Sequence, residues 1–332
     1  MIDLTTIWAF IIAFAVFAYV VMDGFDLGIG ILFPTLPVGQ GRNRAMNSIA
    51  PLWDGNETWL VLGGGGLLAA FPLAYAVILP ATYPLIIAML LGLVFRGVAF
   101  EFRWRDPGHR AFWDGAFFGG SVVAALAQGM VLGALLQGID VAGRAYAGSW
   151  WDWLTPYTLL TGLGVVAGYA LLGACWMIWK LEGDVQEHAY RLAVRAAIAT
   201  LVLMAAVSLY NLLLLDQYRE RWLSMPNFIF ASQVPLLTGI VAFALFYALK
   251  RRREVMPFML ALTLFLLGMA GIGVTIWPYV VPDQITIWDA AAPESSQIFM
   301  LVGVAITLPL ILAYTGWAYW VFRGKVGHEG YH

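Results

Sequence analysis

Residues 5–33 read TTIWAFIIAFAVFAYVVMDGFDLGIGILF. A bilayer-spanning helix needs about 20 mostly apolar residues, and this run exceeds that with only two charges in it, Asp23 and Asp26. Its apolar character is continuous rather than alternating, which predicts a helix and not a β-barrel strand. An acid inside such a run costs about 2.5–3.5 kcal/mol at mid-membrane and less near the interface, and intramembrane acids face a bundle interior, pair, or move protons. The spacing of three residues places both carboxylates on one helix face.

The same ruler applied outward gives eight more candidates, near residues 52–72, 75–98, 114–137, 156–180, 192–215, 228–249, 256–281 and 297–321. The whole chain agrees with that reading. Of 332 residues, 61% are hydrophobic and 11% charged, against about 25% charged in soluble domains. An ordinary soluble enzyme and a disordered chain are excluded. The net charge of −2 provides no basic field for nucleic acid. The predicted fold class is an all-α integral membrane protein with nine transmembrane helices. The first run has no basic segment before it and reads as a span, not a cleavable signal. The single cysteine, Cys175, excludes an intrachain disulfide framework and a cysteine-rich metal site.

Nine spans place fifteen of the eighteen basic residues on one side. These are Arg42 and Arg44, the group from Arg96 to Arg110, then Lys180, Arg191 and Arg195, then Lys250 to Arg253, then Arg323 and Lys325. Only Arg144, Arg219 and Arg221 fall on the other side. The positive-inside rule then predicts an external (periplasmic) N-terminus and a cytoplasmic C-terminus. Lys250 to Arg253 reads as a topological anchor beside anionic lipid.

All four histidines, His109, His188, His328 and His332, fall outside the predicted spans, on the cytoplasmic side. A haem in a membrane bundle takes an axial His, or His with Met. The chain alone is therefore expected to bind no haem, and no metal site is assigned. The acids carry the positive signal. Asp54 and Glu57 lie where the second span enters from the cytoplasm, and Glu101 follows the third span. With Asp23 and Asp26, five acids from three consecutive helices gather at one face. Helix-dipole stabilisation, or a cap from Asn47 or Ser48, accounts equally for Asp54 and Glu57. Pairing with Arg96, Arg103 or Arg105 accounts for Glu101. The helix-start explanation fails for Asp23 and Asp26, which sit near the end of their helix, where the dipole disfavours an anion. The expected proton-path residues are Asp23, Asp26, Asp54 and Glu101. Gly24, Gly28 and Gly30, and the run Gly63 to Gly66, suggest close helix approach, with an unwound segment as the alternative. Trp288-Asp289, in an outer loop, suggests no chemistry.

Four blocks stand in order along the chain: Asp23-Gly24-Phe25-Asp26-Leu27-Gly28; Asn47-Ser48-Ile49-Ala50-Pro51-Leu52-Trp53-Asp54-Gly55-Asn56; Phe95-Arg96-Gly97-Val98-Ala99-Phe100-Glu101-Phe102-Arg103; and Thr286-Ile287-Trp288-Asp289-Ala290. With them the chain resembles subunit II of the cytochrome bd-type quinol oxidases, including the cyanide-insensitive branch, nearly end to end. The resemblance implies a respiratory electron-transport complex of the bacterial inner membrane that oxidises quinol and reduces oxygen to water with protons from the cytoplasm. It implies a heterodimer in which subunit I carries two b-type haems and one d-type haem. This chain would be the haem-free subunit, with room in the family for a structural quinone and a small single-span subunit. The implied fold is two four-helix bundles, residues 1–149 and 150–295, with a peripheral ninth helix and tail over 296–332. Members of the family carry a His where this chain has Leu52, so no relay through that position carries over.

A proton-coupled secondary transporter shares the composition, the span number and the buried acids. Transporters often carry inverted repeats and broken helices near the midplane. This sequence shows no repeat, and its acids gather at one face.

Overall fold

The apolar runs fold as helices, and those predicted at 75–98, 114–137 and 192–215 extend several residues past their predicted limits at the basic end. The computed structural model describes residues 3–327; His328 and His332 lie outside the described residues. The helices are α1 (Leu4–Leu32), α2 (Gln40–Asn47), α3 (Trp53–Ala70), α4 (Pro72–Arg105), α5 (Arg110–Leu136), α6 (Pro156–Lys180), α7 (Asp184–Asn211), α8 (Asp216–Leu223), α9 (Asn227–Ala231), α10 (Gln233–Lys250), α11 (Met256–Ile276), α12 (Ile287–Ala290) and α13 (Glu294–Val321). Two short antiparallel hairpins, Val141–Ala142 with Ala145–Tyr146 and Tyr279–Val281 with Ile285–Thr286, close loops at the opposite end.

Among the described residues, eight helical stretches are long and apolar enough to cross a membrane. The protein is thus an all-α integral membrane protein. The remaining predicted span is α3, which is helical over Trp53–Ala70 but falls outside that set. Asp54, Asn56, Glu57 and Thr58 crowd its first turns and Gly63 to Gly66 fill its middle, so its hydropathy is low for its length.

α1 runs through the centre and packs against α3, α5 and α6. Its crossing with α6 needs glycine on both helices. A Cβ on Gly28 would lie 1.9 Å from the Tyr169 carbonyl oxygen, and one on Gly173 would lie 2.4 Å from the Gly28 carbonyl carbon. Small residues at such crossings let backbones approach, which accounts for the predicted close approach at Gly28. Gly64 and Gly65 behave differently: nothing lies within 4 Å of where a Cβ would stand. That pair does not serve helix contact within the chain, and α3 is not unwound there. The core beside the crossing is aromatic, with Phe25 stacked on Trp176 at 4.1 Å between ring centroids.

The extension of α4 to Arg105 changes one sequence assignment. Arg96, counted above with a loop, lies inside the helix and is fully buried. α13 touches the rest only lightly, along α1 and α3, and is almost wholly exposed.

Candidate functional site

α1, α3 and α4 bring a carboxylate–arginine cluster together at the basic end of the core. Asp23 and Asp26 of α1 and Arg96 of α4 are all 0% exposed. Arg96 Nη1 lies 2.9 Å from Glu57 Oε1 and 3.7 Å from Asp23 Oδ1. One guanidinium thus faces two carboxylates from different helices. Asp26 Oδ2 accepts a 2.7 Å bond from Asn56 Nδ2, which also reaches the Met22 carbonyl, and the Tyr319 hydroxyl of α13 donates to Asn56 Oδ1 at 2.9 Å. One turn before Asp23, Tyr19 accepts from Gln128, which in turn accepts from the Tyr169 hydroxyl at 2.6 Å. A polar seam from α1, α3, α4, α5, α6 and α13 therefore crosses an otherwise apolar interior.

The seam is not saturated. Both Asp23 oxygens, Asp26 Oδ1, and Arg96 Nε and Nη2 are buried without a hydrogen-bond partner among the described residues. Most buried polar groups in folded proteins are bonded to protein or ordered water.

Of the four predicted path residues, Asp23 and Asp26 lie in this cluster. Asp54 is exposed in the first turn of α3. Glu101 lies inside α4 rather than after it, is exposed, and sits 3.6 Å from Arg105. Of the three arginines weighed for Glu101, Arg105 is its partner, while Arg96 belongs to Glu57 and Asp23. Neither Asn47 nor Ser48 caps α3, whose N-cap is Leu52 without a side-chain bond. Ser48 instead donates to the Ala45 carbonyl and accepts from Trp176 Nε1. Glu57, set aside in the sequence, is half-buried and shares Arg96 with Asp23. Arg96 and Asn56 were also missed as site residues. The available signal was an arginine set in the apolar stretch Leu93-Val94-Phe95-Arg96-Gly97-Val98-Ala99-Phe100.

A second cluster lies nearer the helix ends. Asp114 of α5 receives Arg42 Nη1 at 2.7 Å and Arg103 Nε at 2.5 Å, and Arg103 Nη1 donates to Asn43 Oδ1 at 2.8 Å. It ties α2, α4 and α5 together. At the opposite end, Thr286 and Asp289 form a reciprocal capping box on α12, and Trp288 Nε1 donates to Asp3 Oδ2 at 2.7 Å. The late Trp288-Asp289 pair thus has a structural use.

Two of the four histidines lie among the described residues. His109 is exposed in the turn after α4 and bonded to Asp106. His188 is near the start of α7, close to Thr35 and Arg191. Neither reaches the seam, so no described imidazole is placed to be an axial ligand inside the bundle.

A polytopic helical membrane protein with titratable groups gathered at one end of its core is the class these features define. Residues 4–322 match the family model described as cytochrome bd terminal oxidase subunit II, and the chain belongs to that family. It is 29% identical to the cytochrome bd-I ubiquinol oxidase subunit 2 of Escherichia coli K12, over 97% of this chain and 95% of that protein. It is 26% identical to the cytochrome bd ubiquinol oxidase subunit 2 of Bacillus subtilis, over 99% and 98%. The fold is also that of a chain of the bd oxidase from Geobacillus thermodenitrificans, with a TM-score of 0.76, 18% identity, and coverage of 96% and 98%. The protein is a multi-pass subunit of an inner-membrane bd-type quinol oxidase. Membership implies a partner subunit I and haems in the complex, and it displaces the stand-alone transporter reading.

Proposed function

We propose that this chain is the haem-free, supporting subunit of the oxidase and lines a proton-uptake path from the cytoplasm toward haems held by subunit I. The partner's haems supply the redox chemistry, quinol oxidation and oxygen reduction to water. The observation that carries the reading is the burial of Asp23 and Asp26 beside one arginine, with Glu57 joining them to the exposed edge of α3.

In this reading α3 is the ninth span, the N-terminus is periplasmic and the C-terminus cytoplasmic. Residues 1–149 and 150–295 form the two four-helix bundles, and 296–332 the peripheral helix and tail. Asp54 and Glu101 receive protons at the cytoplasmic edge and pass them to Glu57. Arg96 stabilises the charge left whenever Glu57 or Asp23 loses its proton, because the same Nη1 faces both. The Asp23 oxygens, which face Arg96, exchange protons through water in this reading. From there the path continues to Asp26 and the Asn56–Tyr319 pair.

Subunit I covers the face formed by α3 and the adjoining end of α4. Asp54 and Glu101 would otherwise confront lipid at a cost of up to about 2.5–3.5 kcal/mol each, and Gly64 and Gly65 leave a flat strip on which another helix can lie. A structural quinone and a small single-span subunit remain part of the family-based reading.

The test is oxygen consumption per haem in the purified complex. Asp23→Asn should reduce it at least tenfold and Asp54→Asn severalfold, with haem content per complex unchanged. Full turnover in a fully assembled Asp23→Asn complex would overturn the path.

A further inference from the structure

A second feature at the basic end lies away from the carboxylate seam. Where the start of α7 meets the end of α10, a cleft of about 560 Å³ opens. Its rim carries four cations, Arg191 and Arg195 one turn apart on α7, and Lys250 and Arg252 at the end of α10. Arg252 is already engaged: it pairs with Glu187 at 2.7 Å and lies over the Tyr190 ring at 4.5 Å. Arg191, Arg195 and Lys250 have no carboxylate partner among the described residues. A topological anchor needs positive charge near the interface, but it does not need three cations without a carboxylate, one of them (Arg191) beside His188, converging on one cleft from two helices.

The cleft wall is apolar. Phe246 and Val194 line it, and Ile198 and Val202 continue the Val194 stripe down α7 at helical spacing, 52% and 61% exposed. On α10, Phe243 is 75% exposed one turn below Tyr247. Cations at the mouth above an apolar groove match an amphiphile with an anionic phosphate headgroup and acyl chains. A free phosphate would use the rim and leave the groove without a purpose. We propose that this cleft is a specific binding site for an anionic phospholipid, its phosphate held by Arg191, Arg195 and Lys250 and one chain lying along the α7–α10 groove.

The experiment is native mass spectrometry of the whole complex titrated with dioleoylphosphatidylglycerol or dioleoylphosphatidylcholine. The anionic lipid should be retained at least fivefold more than the zwitterionic one. The triple variant R191Q/R195Q/K250Q should erase the difference, whereas R44Q/R323Q, which removes charge elsewhere at the same end, should preserve it. Equal loss in both variants would reduce the site to bulk charge and overturn the proposal, as would retention in the triple variant. Displacement of the lipid by millimolar inorganic phosphate would assign the rim to free phosphate and overturn the lipid assignment. A photoactivatable phosphatidylglycerol gives a check on the unaltered complex. It should crosslink to the peptides holding Val194 and Phe246, and labelling elsewhere only would sink the site.

Discussion

Two arginines on α4, seven residues apart, sit in opposite electrostatic situations. Arg103 and Arg42 together hold one carboxylate, Asp114, and both of its oxygens are engaged. Arg96 stands alone before Glu57, Asp23 and, beyond them, Asp26, and several buried atoms around it have no partner. The first cluster is closed and ties three helices near the membrane surface. The second carries more acid than its cation can neutralise, inside the core. A satisfied buried network rigidifies, whereas an unsatisfied one is costly, and that cost is what the proposed proton path would account for. The contrast separates a fastening from a site within a single helix.

The largest effect tests the excess of acid. Arg96→Leu removes the cation that faces Glu57 and Asp23, and breaking a buried pair costs about 3–5 kcal/mol. Haem-containing complex should fall more than tenfold, measured by visible spectroscopy of membranes. Adding Asp23→Asn and Glu57→Gln to Arg96→Leu should restore much of the yield, because the two carboxylates that Arg96 pairs with are then neutral. A yield unaffected by Arg96→Leu would mean that the acids do not depend on it.

The closed cluster should respond in the other currency of measurement. Asp114→Ala leaves Arg103 buried and unpaired, with a destabilisation of about 3–5 kcal/mol. The complex should lose thermal stability and yield, while oxygen consumption per haem in the surviving fraction stays within twofold of the unaltered complex. A tenfold loss per haem would place Asp114 in the path and erase the distinction between the clusters.

Much of this was legible before any coordinates. Asp23 and Asp26 identified themselves, because two acids in an apolar run have few uses and their spacing puts them on one face. Helix positions were legible for the same reason, since a bilayer imposes length and apolarity together; the fifth predicted span, 156–180, coincides with α6. What escaped was the partner of the acids. Arg96 falls at the very end of the predicted span 75–98 and counts with the loop that follows, whereas α4 runs on to Arg105 and leaves it well inside the helix. Glu57 and Asn56 escaped because their first-turn position on α3 has a sufficient local explanation, and their reach to Arg96 and Asp26 depends on how α3 crosses α1. The glycines split likewise: Gly28 and Gly64 look alike in sequence, but only Gly28 meets a backbone.

The smallest effect comes from a carboxylate with no arginine at all. Asp289 accepts from the Thr286 backbone N–H at 3.1 Å and from the Thr286 hydroxyl at 2.5 Å. The Thr286 hydroxyl bond, then the backbone bond, hold its pKa below the usual value of 3.8. A carboxyl depressed in the folded state contributes stability that is present above its unfolded pKa and lost as pH falls through the folded one. The loop around α12 should therefore hold at neutral pH and loosen only below about pH 4. Asp289→Asn, which has lost the charge at every pH, should show severalfold faster deuterium uptake over residues 281–291 at pH 7, without change in turnover or assembly. If uptake at pH 7 is unchanged in that variant, the hydrogen bonds rather than the charge hold the loop. Asp289 would then differ from Asp114 and Asp23 in kind, since those two are buried and face arginines.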